Sequence, residues 1–326
     1  MMRAGVLGTT LALCAASAAL ADAQYVPFDP DGSLYTMAVA INATGQATGY
    51  YSDGSRGHGF IRAGNGVFTV FDPPKSVDTR PVAINDAGDV TGYFYKPREH
   101  WEAFLRTADG TITAFNVHGY LGGMPADIAS DGTIVGTMWL RKELYSFLRR
   151  PDGTISLIRG GRAPETHATS INADGTIAGY MGSRARRSRA FIRAPSGAFT
   201  FYHPPGSLFT WKVKIDDDGV VAGTYFDLGR VMHAFVRAAD GKIAIFTMPG
   251  ASNTRGIGVD DLGALYGGYD DAQYHAHGFV HGSDGENIPF DVPGAQDTQV
   301  NGVNKSGVTV GTFIQDGRYH GFLRAR

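Results

Sequence analysis

Ile41-Asn42-Ala43-Thr44-Gly45 returns as Ile84-Asn85-Asp86-Ala87-Gly88, Ile128-Ala129-Ser130-Asp131-Gly132, Ile171-Asn172-Ala173-Asp174-Gly175, Ile215-Asp216-Asp217-Asp218-Gly219, Val259-Asp260-Asp261-Leu262-Gly263 and Val303-Asn304-Lys305-Ser306-Gly307. The step is 43 or 44 residues each time. A second Gly follows four residues later in every copy, at Gly49, Gly92, Gly136, Gly179, Gly223, Gly267 and Gly311. A Phe follows at the same step, at Phe60, Phe104, Phe147, Phe191, Phe235, Phe279 and Phe322. Seven copies that keep every anchor define seven units, since a fixed period of this size marks a repeat architecture.

Within a unit, short runs alternate apolar and polar residues, which is the strand period. In unit 2 they are Arg80 to Asn85, Val90 to Tyr95, Ala103 to Arg106 and Thr111 to Asn116. The Asn-x-x-Gly connection suits a type I turn followed by a left-handed residue, with Asn capping the turn and Gly accepting positive φ. Ala108-Asp109-Gly110 and Pro151-Asp152-Gly153 repeat that chemistry before the fourth strand. The other two connections are longer and differ between units. Four antiparallel strands at a period near 44 match one propeller blade.

The chain ends argue for a closed ring. Phe71, Phe115, Ile158, Tyr202, Phe246 and Phe290 mark the fourth strands, and the seventh unit stops at Arg326 before its own. Phe28 lies 43 residues before Phe71, and Pro27-Phe28-Asp29-Pro30 mirrors Val70-Phe71-Asp72-Pro73. A spare N-terminal fourth strand that fits the vacancy hides a sheet edge that an open array would leave exposed. The expected fold is therefore all-β: a seven-bladed β-propeller with four antiparallel strands per blade, closed by an N-terminal strand that completes the last blade.

Residues 1–23 read as a secretory signal, with Arg3 at its start, an apolar run from Ala4 to Leu20, and Ala21-Asp22-Ala23 at the cleavage site. A single propeller domain is expected over residues 24–326, secreted or periplasmic, monomeric, and without a transmembrane segment after cleavage. The one Cys of the chain, Cys14, falls inside the signal, so the mature protein holds together without disulfides. Lys+Arg 29 against Asp+Glu 31 supplies no basic field for a nucleic acid, and 43% hydrophobic residues exclude a disordered chain.

The triplet His233-Ala234-Phe235, with His58-Gly59-Phe60, His277-Gly278-Phe279 and His320-Gly321-Phe322, resembles that of the bacterial HAF-repeat family of extracellular proteins. The Ile-Asn-x-x-Gly turn and the stretch Phe290-Asp291-Val292-Pro293-Gly294 extend the resemblance over nearly the whole mature chain. It implies a repeat architecture and an extracellular location, and it brings no activity to any residue. Glu102, Tyr145 and Arg189 stand where three units lack the His.

Because the four triplet His occupy one repeat position, they are expected a unit apart, each packed against its own unit's turn, and not as a metal set; no cofactor or metal is expected. Arg62, Arg106, Arg149, Arg193, Arg237 and Arg324, each two residues after the Phe, read likewise as structural. Function belongs where repeats disagree. The residue after Thr36, Thr79, Thr166, Thr210, Thr254 and Thr298 varies freely, and the position reads Met37, Arg80, Met124, His167, Trp211, Arg255 and Gln299 around the channel mouth. Asp127, Lys212 and Lys214 lie deeper in the same strands, and Asp53, His100, Trp101, Trp139, Arg184, Arg186, Arg187, Asp270, Asp271, Tyr274 and His275 lie on loops.

Arg80, His167, Trp211, Arg255 and Gln299 are the candidate binding residues, since guanidinium forks hold carboxylates and indole stacks on sugar faces. The leading expectation is a non-catalytic propeller that binds an extracellular glycan, peptide or protein on its variable-loop face. The alternative is an extracellular polysaccharide-active enzyme of lyase type, in which Arg80 or Arg255 neutralises a uronate and His167 or Tyr274 takes the proton. No Gly-x-Ser-x-Gly elbow is present.

Overall fold

The computed structural model describes residues 23–97, 101–117, 123–140, 143–160, 165–182 and 188–325. Apart from Ala23, the expected export signal lies outside the described residues, as do His100, Arg184, Arg186 and Arg187. The described chain forms 28 strands and contains no helix. They build five four-stranded sheets and one eight-stranded sheet. Within the eight-stranded sheet, the strands of units 1 and 2 each pair antiparallel among themselves, and one parallel pair, Gly57 with Asp78, joins them. Strand Gln24–Phe28 pairs antiparallel with Arg318–Ala325, so the N-terminal segment supplies the fourth strand of unit 7 as expected.

The triplet explains itself in three contacts. Its Phe is fully buried in all seven units, at 0% exposure. Its small middle residue leaves room for the fourth-strand aromatic: a Cβ on Gly321 would meet the Phe28 ring at 2.4 Å, and one on Gly278 would meet Phe290 at 2.3 Å. Its His turns outward and bonds the residue that follows the fourth strand of its own sheet. His58 Nδ1 lies 2.6 Å from Asp72, His233 Nδ1 2.7 Å from Thr247, His277 Nδ1 2.9 Å from Asp291, and His320 Nδ1 2.6 Å from Asp29. Asp72 and Asp29 also accept from Thr79 and Thr36, the buried threonines that open the next unit.

Neighbouring units are fastened by the repeated Arg. In most units its guanidinium lies over the fourth-strand aromatic of the preceding unit, Arg106 over Phe71, Arg149 over Phe115, Arg237 over Tyr202 and Arg324 over Phe290, whereas Arg193 lies over Phe199 of its own unit. Arg62 lies over Phe28 and so joins unit 1 to the strand that completes unit 7. Unit 6 has His281 at this position, stacked on Phe246 at 4.2 Å. On the hairpin side the turn asparagines reach sideways. Asn42 donates to the Asn85 carbonyl, Asn85 to Ala129, Asn172 to Asp216, and Asn304 back to Asn42 at 3.1 Å.

Two outcomes follow. Phe28, only 7% exposed, packs on Phe60 and Phe68 of unit 1. Phe28→Ala is expected to cost about 3–5 kcal/mol, read as a lower denaturant midpoint. The second concerns pH. Burial alone would depress His58 and His277, but Asp72 with Asp53, and Asp291 with Asp271, outweigh it and raise both above the ordinary 6.5. Their stabilisation is complete below pH 6.5 and is lost as the pH climbs through the raised folded values. The melting temperature of a His58→Gln, His277→Gln variant is expected to vary less than the native one's over that climb.

Candidate functional site

Every first strand carries a bulge, and its place decides which side chain looks into the channel. In six units the register shift falls late: Ala38/Ala40, Pro81/Ala83, Pro125/Asp127, Ala168/Ser170, Gly256/Gly258 and Val300/Gly302. In unit 5 two shifts fall earlier, between Ser207 and Phe209 and between Thr210 and Lys212. The pairing therefore sets Lys212 opposite Thr224, as Arg80 stands opposite Tyr93, and sets Val213 opposite Gly223, as Pro81 stands opposite Gly92. The glycines agree. A Cβ on Gly92, Gly179 or Gly267 would meet the carbonyl oxygen of Arg80, His167 or Arg255, whereas one on Gly223 would meet that of Lys212.

This corrects the expected ring. Its fifth member is Lys212, and Trp211 is the extra residue beside it. The physical reason is the core: kept in the common register, Lys212 would occupy the place of Ala38 and Ala168, both at 0% exposure. Moving the bulge puts Val213 there instead, at 1%.

The candidate residues divide by location. Trp211, Lys212, Arg255, Tyr274 and Gln299 line one cavity of about 440 Å³, together with Asp270, Asp297 and Asn301. Arg80 and His167 are not in its lining. Arg80 donates to Asp78 Oδ2 at 2.9 Å and lies over the Tyr50 ring at 4.7 Å. Burial raises Tyr50 and Tyr93 above the usual phenol range, against the pull of Arg80. His167 stacks on Tyr180 at 4.3 Å, with Glu165 at 3.7 Å.

Within the cavity the charges are largely spoken for. Arg255 grips Asp270 through both terminal nitrogens, at 2.8 and 2.5 Å. Asp270 was anticipated as a loop residue; it ends strand Leu265–Asp270, beneath the guanidinium. Asp297, which sequence reasoning did not single out, accepts from the Ala276 amide at 2.7 Å. Trp211 and Tyr274 present apolar faces, at 37% and 75% exposure.

Tyr274 sits in a connection that is tighter than expected. Tyr274 N bonds Asp271 O, and Asp271 N bonds His275 O, closing a hairpin of the same form as the Asn-x-x-Gly turns. Tyr274 takes the left-handed position there, at φ 66°. A non-Gly residue costs roughly 1 kcal/mol or more in that conformation, so the ring is held at the cavity rim against a local penalty. The signal was readable: Asp271 stands three residues before Tyr274, as Asn42 stands before Gly45.

At the opposite end, a pit of about 140 Å³ is lined by turn residues of all seven units, with Asp127 and Lys214 on its wall. Asp127 is engaged: its carboxylate accepts from Ser170 Oγ at 2.7 Å and from the Ile171 and Ile128 amides. Among the described residues no helix is long and apolar enough to cross a membrane.

No family model and no curated protein matches the chain. In shape it is similar to a streptogramin B lyase, with a TM-score of 0.65 and 12% identity over 93% of this chain and 98% of that one. Virginiamycin B lyase from Staphylococcus aureus gives 0.62 and 12%, over 94% and 99%. A prolyl endopeptidase gives 0.61 and 16% over 87% of this chain and 47% of its own. Identities this low carry the fold alone: the chain is a β-propeller built from repeated four-stranded antiparallel sheets.

Proposed function

We propose that the chain is an exported, monomeric β-propeller of seven blades over residues 24–326, of the HAF-repeat kind, which binds a glycan without catalysis. The occupant is an uncharged saccharide ring seated in the cavity of units 5 to 7. One observation carries this reading: the two exposed aromatics line the same cavity as an Arg255 guanidinium already neutralised by Asp270. A paired Arg and Asp present donors and acceptors side by side, which suits sugar hydroxyls, and aromatic faces suit the apolar side of a pyranose. A uronate held by Arg255 would have to displace Asp270 and leave a half-buried carboxylate unpaired. The cavity volume lies within the range usual for small-molecule sites.

The lyase reading has less support. Of the four residues it enlists, Arg255 and Tyr274 share the cavity, while Arg80 and His167 are held by Asp78 and Tyr180 outside its lining.

Calorimetry against neutral and uronic oligosaccharides tests the reading. Neutral sugars are expected to bind, and Trp211→Ala to weaken that binding about ten-fold or more, as loss of a stacking contact with its buried area does. Asp270→Ala, which frees Arg255, is expected to shift preference toward uronates. Native protein that binds uronates and ignores neutral sugars, or that releases unsaturated products, would overturn the proposal.

A further inference from the structure

Four of the seven ring positions carry a basic or titratable nitrogen, and three of them are held. Arg80 has Asp78, Arg255 has Asp270, and His167 is stacked on Tyr180. Lys212 makes no hydrogen bond or ion pair with any described residue. The displaced bulge of unit 5 brings it there in place of the core position that residue counting assigns to it. A bulge that re-aims one side chain in one repeat is a feature characteristic of functional sites.

The surroundings of the amine are unusual for a lysine. Its side chain is exposed toward the cavity lumen, so it can be reached. Lys214, two residues along the same strand, is also exposed toward the channel. Of the charged groups on the strands packed around them, Asp127 spends its oxygens on Ser170 and two amides, Asp270 on Arg255, and Asp297 accepts from the Ala276 amide. Two neighbouring ammoniums without a carboxylate in contact favour loss of one proton. Burial first, and Lys214 second, hold the Lys212 amine below the ordinary lysine range, against the pull of Asp127.

We infer that Lys212 is a nucleophilic amine that condenses with the carbonyl carbon of a small aldehyde or ketone ligand admitted to the cavity. The nitrogen lone pair adds to the carbonyl carbon, and the carbonyl oxygen takes up a proton. That proton is one of the two amine hydrogens; the other then leaves with the oxygen as water, and a C=N bond remains, with neither partner oxidised or reduced. Trp211 and Tyr274 wall the site, and burial together with Lys214 favours the neutral form of the attacking amine. The inference concerns a covalent step and does not require that the cavity's usual occupant be a saccharide.

Reductive alkylation of the intact chain with glycolaldehyde and sodium cyanoborohydride, mapped by peptide mass spectrometry, measures each lysine separately. At pH 7 Lys212 is expected to react at least ten-fold faster than Lys242, whose side chain is 88% exposed. Its rate should also level off at a lower pH. In Lys214→Met the Lys212 rate at pH 7 should fall several-fold, while binding of neutral saccharides persists. A Lys212 rate no greater than that of Lys242 in the native protein overturns the inference, and that measurement needs no variant to fold. Protection of Lys212 by inorganic phosphate, together with an ordinary lysine pH profile, also overturns it in favour of an anion site. Saccharide calorimetry is a separate readout, so the two proposals fail independently.

Discussion

The architecture depends on one wedge. In each unit a side chain from the short outer strand lies across a small residue of its own third strand and against the Phe of the next unit. Phe71 sits over Gly59 and meets Phe104, Tyr202 meets Phe235, Phe246 meets Phe279, and Phe28 sits over Gly321 and meets Phe60. A flat sheet cannot bury both faces alone, and this contact joins each sheet to the next. The middle residue of the triplet must be small because the aromatic covers it. The Arg two residues after the Phe is there because that same aromatic offers it a π face.

The His, Asp and Thr of the clamps have the residue types of a hydrolytic triad and none of its geometry. Asp29 stands in the middle, between His320 and Thr36, and the threonine oxygen points into it at 2.5 Å from a fully buried position. A nucleophile must face substrate with the base beside it. These groups instead tie a fourth strand to its own sheet and to the start of the next unit. The clamp belongs to the scaffold, and the chemistry belongs to positions that vary.

Most of the scaffold was legible because repetition turns weak local signals into a coherent one. Phe28 could be assigned to the far end of the chain from spacing alone, and it pairs there. The site was legible only in part. Counting residues from Thr210 named Trp211 as the ring member, which presumes that each bulge falls at the same place. The bulge in unit 5 depends on what the core would accept at position 212, and that is a three-dimensional condition. Arg80 and Arg255 were visible as cations, but what quenches them was not: Asp78 stands two residues before Arg80 on the same strand, and Asp270 reaches Arg255 from the neighbouring strand, across a pairing that spacing does not reveal. His281 took the place of an Arg unnoticed because its role is to stack on Phe246, and the residue type changed while the role did not.

The joint between Gln24–Phe28 and Arg318–Ala325 also sets an order of events during synthesis. Asp29 and His320 are 291 residues apart in sequence, so strand Gln24–Phe28 is made long before its partner Arg318–Ala325. The entropic cost of so long a loop grows only logarithmically, but the waiting time is real, and an unpaired strand invites other chains to add to it. Pro27 lies in the middle of that strand, opposite Phe322. A proline has no amide hydrogen to offer an intruder, and it is tolerated here because the strand is an edge. The proline that the edge of the finished sheet tolerates is thereby a guard for the nascent strand.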